Sequence, residues 1–175
     1  MELGCGTGEL IEFISEKTDC ICYGVENSKR TVEYLNKNKK SSKVPFIYGD
    51  MDNEVWNTSE YEIDLVVDSL YFVHDLEKII SNLFKLIKNK RIAIIYYTEY
   101  GFNIENENWK DSKTNKLGKV LESKNIKYEY LDITERELGQ WEKYYKLNKN
   151  LMINLKAKGI NLWAPLKTRI LGSFS

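Results

Sequence analysis

The first eight residues, Met1-Glu2-Leu3-Gly4-Cys5-Gly6-Thr7-Gly8, constrain this chain more than any other stretch. They read as the end of a buried strand carrying an acid, followed by a Gly-x-Gly-x-Gly turn. Residues 9–14 then begin a helix, with Leu10, Ile11, Phe13 and Ile14 expected on its buried face. Strand, glycine turn and helix together make a nucleotide cradle. Glycine there takes positive φ and lets the backbone approach a ligand, while the first N–H groups of the helix point at whatever sits above them. An ordinary tight strand-to-helix turn is the alternative, and the rest of the chain separates the two.

After the helix, an apolar run at 20–23 leads into Gly24-Val25-Glu26-Asn27, a second strand ending in an acid. Ser28 is placed to cap a helix over 29–38, whose buried stripe is Val32 and Leu35. Residues 46–48 read as a third strand, closed by Gly49-Asp50-Met51. A fourth lies within 61–68, with Ile63, Leu65, Val66 and Val67, and ends at Asp68-Ser69. Ile79, Ile80, Leu83, Phe84 and Ile87 recur at helical spacing over 76–87, and 91–97 is a fifth strand. A helix at 115–124 and an alternating sixth strand at 126–132 follow. Such alternation calls for an α/β fold with a doubly wound, mostly parallel sheet. Ligands of these sheets bind beyond the carboxyl ends of the strands. Glu2, Glu26, Asp50 and Asp68 all fall at or near such ends, and this shared register favours the ligand cradle.

A nicotinamide dinucleotide site would carry Gly-x-Gly-x-x-Gly, with its third glycine inside the helix. Here Glu9 follows Gly8, a poor neighbour for a pyrophosphate. The stretch instead resembles motif I of the class I S-adenosylmethionine-dependent methyltransferases, with Glu2 at that motif's acidic position. The resemblance covers residues 1–132. It implies a Rossmann-like methyltransferase fold with an antiparallel last strand, for which residues 167–174 remain. It further implies S-adenosyl-L-methionine as cofactor, cradled by Gly4, Cys5, Gly6, Thr7 and Gly8, with Glu2 facing the methionine end. In the same scheme Glu26 and Asn27 meet the ribose, Asp50 accepts from the adenine amino group under the apolar cover of Met51, and Asp68 and Ser69 complete the cofactor site. A solvated strand-end acid at Glu26 and a turn aspartate at Asp50 are the alternatives. Lys88-Asn89-Lys90 departs from the Lys-Pro-Gly-Gly turn usual in the family.

A sulfonium methyl is already electrophilic, so such an enzyme mainly aligns a nucleophile and excludes water. No triad or metal site is required, and none is expected. His74, the only histidine, falls in the loop after the fourth strand, where the resemblance places the acceptor. His74 and Tyr71 are therefore the candidate catalytic and acceptor-facing groups; a cap or surface position is the other reading of His74. Asp68-Ser69-Leu70-Tyr71 shares its first and last residues with the Asp-Pro-Pro-Tyr motif of nucleobase and amide methyltransferases, but lacks both prolines. The expected acceptor is an oxygen or nitrogen of a small molecule. A non-catalytic cofactor-binding module and a nucleic-acid or protein methyltransferase are the competing expectations.

Composition narrows these. Lys plus Arg and Asp plus Glu number 26 each, so the chain has no global charge to draw it to nucleic acid or an anionic membrane. Three cysteines suggest a reducing cytoplasm and no disulfide framework, with Cys20 and Cys22 expected as small buried residues. No apolar run approaches the roughly 20 residues needed to span a bilayer. The 175 residues are expected to form a single methyltransferase domain without the usual N-terminal cap. Either the chain is naturally short or upstream residues are missing. Residues 134–165 are expected to form a helical insertion before the last strand, either a lid that brings Trp141 and Tyr145 to the acceptor or a helix that buries those rings against the core or a second subunit. The sequence carries no sign of oligomeric state.

Overall fold

Parallel pairing organises the chain into a five-stranded sheet of order β3-β2-β1-β4-β5. The computed structural model describes residues 1–53, 61–87, 92–97, 113, 115–133, 135–136, 139–140, 142–144 and 146–147. The strands are β1 (Glu2–Leu3), β2 (Gly24–Glu26), β3 (Phe46–Tyr48), β4 (Ile63–Val67) and β5 (Ile92–Tyr96). They alternate with helices α1 (Glu9–Thr18), α2 (Lys29–Asn38), α3 (Leu76–Ile87) and α4 (Lys116–Ser123). Two compact units are formed, one of Met1–Tyr100 with Asn108–Lys127, the other of Gly101–Glu107 with Tyr128–Ser175.

Every strand of the sheet lies in the first unit, and β1 is its pivot. Leu3 stands opposite Val25 on one side and Val66 on the other. The connections run outward from β1 to β2 and β3, then return to β4 on its other flank, so strand order reverses at β1. That reversal opens a crevice at the carboxyl ends of β1 and β4. Both faces of the sheet are covered. Ile11 of α1 and Val32 and Leu35 of α2 join Phe46 in one cluster, while Ile79, Ile80 and Leu83 of α3 and Leu117 and Val120 of α4 join Leu3, Val25 and Val66 in the other. Full burial of a side chain such as Leu83 contributes about 2 kcal/mol.

Local chemistry sets the helix ends. Ser28 Oγ accepts from the Thr31 N–H and Asn115 Oδ1 from the Gly118 N–H, capping α2 and α4 as the residue types require. Asn36 of α2 pairs with both backbone groups of Phe46, accepting its N–H at 3.1 Å and donating to its carbonyl at 2.7 Å. This satisfies the outer edge of β3, which ends the sheet.

Several expectations are corrected. In α1, Ile11 and Ser15 make the buried line, whereas Leu10 and Phe13 are exposed. Phe13 lies two residues from Ile11, roughly 200° around the helix, and its ring sits under Lys17 Nζ instead. Ser15 is accommodated in the interior because its hydroxyl donates to the Cys20 carbonyl at 2.7 Å. Cys22 is buried but Cys20 is exposed, and 20–23 precede β2 rather than belonging to it. Residues 126–132 form no strand. Alternation is a local pattern, but a strand needs a hydrogen-bonded neighbour and a face to bury, and adjacent Tyr130 and Leu131 are both exposed. All pairings among the described residues are parallel. The antiparallel last strand expected at 167–174 lies outside those residues, as does most of the insertion at 134–165. Where described between 135 and 147, that insertion is helical. No helix among the described residues is long and apolar enough to cross a membrane.

Candidate functional site

The glycine turn closes on backbone bonds to its neighbours. The N–H groups of Gly4 and Cys5 both donate to the Val25 carbonyl at 2.9 Å, and Gly8 N–H donates to the Cys5 carbonyl at 2.8 Å. Gly4 and Gly8 are glycines for packing as well as for φ. A Cβ on Gly4 would stand 2.7 Å from Ser69 Cβ, and one on Gly8 would stand 2.5 Å from the Phe46 ring. Gly6 differs, because a Cβ there would meet nothing within 4 Å. Its exposed backbone faces open space where a ligand can approach.

Glu26, at the end of β2, completes this turn. Its Oε2 accepts from the Gly6 N–H at 3.1 Å, and its Oε1 accepts from the Ser28 N–H at 2.9 Å. One carboxylate thus holds the glycine turn and the start of α2 together. Beyond β3, the Gly49 N–H donates to the Glu26 carbonyl. Asp50 then organises the 3-10 turn Met51–Asn53, accepting from Asp52 N–H and from Asn53 Nδ2, each at 3.0 Å. Beyond β4, Asp68 takes a left-handed backbone with φ 48°, and the Ser69 hydroxyl donates to the Leu3 carbonyl at 3.1 Å, beside Gly4. A second 3-10 turn, Leu70–Phe72, is anchored by buried Leu70 and leaves Phe72 exposed.

These elements enclose a cleft of about 580 Å³ at the point where strand order reverses. Small-molecule sites typically span roughly 300–1,000 Å³. Gly4, Gly6, Glu26 and Asn27 line it from β1 and β2, and Gly49 through Asp52 from β3. Asp68, Ser69, Phe72, Val73 and His74 line it from β4. Its acidic lining residues are Glu26, Asp50, Asp52 and Asp68, with no lysine or arginine among them. Such a wall suits a ligand that carries positive charge.

Of the residues singled out in the sequence, Gly4, Gly6, Glu26, Asn27, Asp50, Met51, Asp68, Ser69 and His74 come together here. Glu2, Cys5, Thr7, Gly8 and Tyr71 do not line the cleft. Cys5 faces the apolar cluster of α1 and α2 instead, and burial, with Glu2 and Glu26 nearby, pushes its thiol up to about 12. Tyr71 packs against Phe72 in a tilted arrangement, ring centroids 4.2 Å apart. Trp141 and Tyr145 lie outside the described residues. Asp52 was not legible as a site residue, whereas Phe72 and Val73 were legible only as members of the loop that carries His74. A second acid two positions after Asp50 and the apolar pair preceding His74 were the available signals.

Glu2 is the unusual member. It is 4% exposed, it accepts from the Ile11 N–H of α1, and its Oε2 is buried without a hydrogen-bond partner. Burial raises its pKa from the ordinary 4.5 to about 7, against the opposing pull of the N-terminal amine and the Ile11 N–H. The folded state therefore holds this proton more tightly than the unfolded chain. Its contribution to stability is complete below the ordinary value and is lost as pH rises towards about 7. Between pH 5 and pH 7 the loss from this group is expected to be about 2 kcal/mol. Denaturant unfolding across that range checks it: Glu2→Gln should flatten the profile relative to the parent, and identical slopes would contradict the assignment.

The model of the methyltransferase domain family matches residues 1–151. The sterol 24-C-methyltransferase of Debaryomyces hansenii is 24% identical over 100 residues, covering 55% of this chain and 26% of that protein. Among solved structures, the plantazolicin methyltransferase BpumL in complex with a triazolic desmethylPZN analog and SAH is 22% identical, with a TM-score of 0.46 over 54% of this chain and 36% of that one. The putative methyltransferase in complex with the Haloferax volcanii Trm112 methyltransferase activator is 15% identical, with a TM-score of 0.48 over 62% of this chain and 49% of that one. The chain thus spans about a quarter of the length of the curated relative. The family match runs from the glycine turn past every strand of the sheet, and by it the chain belongs to the class I S-adenosylmethionine-dependent methyltransferases.

Proposed function

We propose that this protein transfers the methyl group of S-adenosylmethionine to an oxygen or nitrogen of a small-molecule acceptor. The observation that supports this most is the open face of Gly6 beside the Glu26 carboxylate, inside an acid-lined cleft at the switch point of the sheet. These residues fit the cofactor. Glu26 retains lone pairs for the ribose hydroxyls, because each of its oxygens accepts one backbone N–H. Asp50 and Met51 offer an acceptor and an apolar cover to the adenine, and the acidic lining suits a cationic sulfonium and amine.

When bound, S-adenosylmethionine supplies an electrophilic methyl group. The chain's own part is to bind, orient and exclude water, and alignment of this kind is worth roughly 7–11 kcal/mol. Phe72 and Val73 present apolar surface to the acceptor, and His74 takes the proton that the acceptor must lose. A small acceptor suits the cleft better than a nucleic acid, since no lysine or arginine lines it and the formal net charge is zero.

Incubation with methyl-labelled cofactor and a fractionated metabolite extract should give acceptor-dependent label transfer and S-adenosylhomocysteine. His74→Ala should lower turnover by about 10²–10⁴-fold while S-adenosylhomocysteine affinity stays nearly constant. Cofactor binding without transfer to any fraction would favour a non-catalytic module. Equal losses of turnover and affinity would make His74 structural.

A further inference from the structure

Asp52 stands between two walls of the cleft and bonds to both. Its backbone N–H donates to Asp50 Oδ1 at 3.0 Å, which fixes it in the 3-10 turn after β3. Both of its carboxylate oxygens lie 3.3 Å from the backbone nitrogen of His74 and share that N–H. From the first turn of α3, Lys78 Nζ donates to the Asp52 carbonyl at 2.6 Å. Asp75 Oδ1 accepts from the Lys78 N–H and holds that turn in place. In the loop joined by these bonds, Val73 packs partly buried against the core, but Phe72 is 64% exposed, His74 is exposed and the Val73 N–H reaches the Leu70 carbonyl only at 3.4 Å.

We propose that Asp52 is a positioning residue that latches the wall after β3 to the wall after β4, so that a cofactor seated on Asp50 and Met51 also sets Phe72, Val73 and His74 for the acceptor. The inference rests on the reading of the cleft given above. A ligand shifts a loop only by contacting one of its arrangements more favourably than the other. The cofactor would touch the turn of Met51–Asn53, and the Asp52 carboxylate passes that preference on to His74. Cofactor and acceptor are thereby coupled, each tightening the binding of the other.

Amide hydrogen exchange of the full chain tests the latch, with and without saturating S-adenosylhomocysteine. In the parent, ligand should slow exchange in both the Met51–Asn53 turn and the Phe72, Val73 and His74 loop. In Asp52→Ala the turn should remain protected, while the loop loses about tenfold in protection, the equilibrium value of one hydrogen bond to a charged acceptor. Asp52→Asn keeps an accepting oxygen and should restore most of that protection. Lys78→Met removes the second strut from outside the cleft and should weaken loop protection by a smaller factor. Full loop protection in liganded Asp52→Ala, or an Asp52→Asn variant as poor as the alanine, would overturn the latch while leaving the cofactor site intact. Failure of the parent to bind S-adenosylhomocysteine would remove the site reading itself, and the coupling with it.

Discussion

Gly8→Ala is expected to destabilise the protein by about 3 kcal/mol, a large share of the roughly 5–15 kcal/mol available to a domain. Two costs add. Gly8 is the N-cap of α1 at φ 73°, where an L side chain costs roughly 1–2 kcal/mol. A Cβ there would also stand 2.5 Å and 2.6 Å from two atoms of the Phe46 ring. Phe46 cannot move away cheaply, because it is 4% exposed and both of its backbone groups are held by Asn36. Overpacking of this kind costs about 1–3 kcal/mol. Gly6→Ala is the control, since its Cβ would enter open space and only the backbone term remains. Urea unfolding should rank Gly8→Ala well below Gly6→Ala, whereas ligand binding should suffer at both positions. Equal stabilities would contradict this division of labour within the turn.

Glu26→Ala is expected to weaken S-adenosylhomocysteine binding by about 3 kcal/mol, or roughly a hundredfold. The sequence suggested a ribose acceptor alone. In the structure the same carboxylate also accepts from Gly6 and Ser28, so its removal leaves the glycine turn unsupported as well as the ribose hydroxyls unmatched. Glu26→Gln keeps an acceptor oxygen and should lose about tenfold. Calorimetric titration of the two variants reads the difference. An alanine variant that folds and binds like the parent would remove Glu26 from the site.

Much of the fold was legible because its signals are local. Ser28 announced the start of α2 through the hydrogen bond its side chain makes. The apolar spacing of Ile79, Ile80 and Leu83 is a property of α3 alone, and those three are buried as expected. What escaped the sequence depends on partners far along the chain. The pairing of Gly8 with Phe46 joins a turn to a strand 38 positions later, and nothing in either segment announces the other. The bond from the His74 N–H to Asp52 spans 22 positions and gives Asp52 its place in the site. Residues 126–132 show the converse. Their alternation is strand-like, but adjacent Tyr130 and Leu131 are both exposed and the segment makes no strand. Glu2 was legible as an acid at the end of β1, yet its burial and its bond from the Ile11 N–H of α1 follow from a packing that the motif does not encode.

The central claim is that the acid-lined cleft at the carboxyl ends of β1 to β4 holds S-adenosylmethionine. Isothermal titration of the parent protein with S-adenosylmethionine and with S-adenosylhomocysteine tests it most directly. Saturable binding of both at one site, weakened by Glu26→Ala, is the predicted result. No heat of binding from either ligand to the folded protein would contradict it.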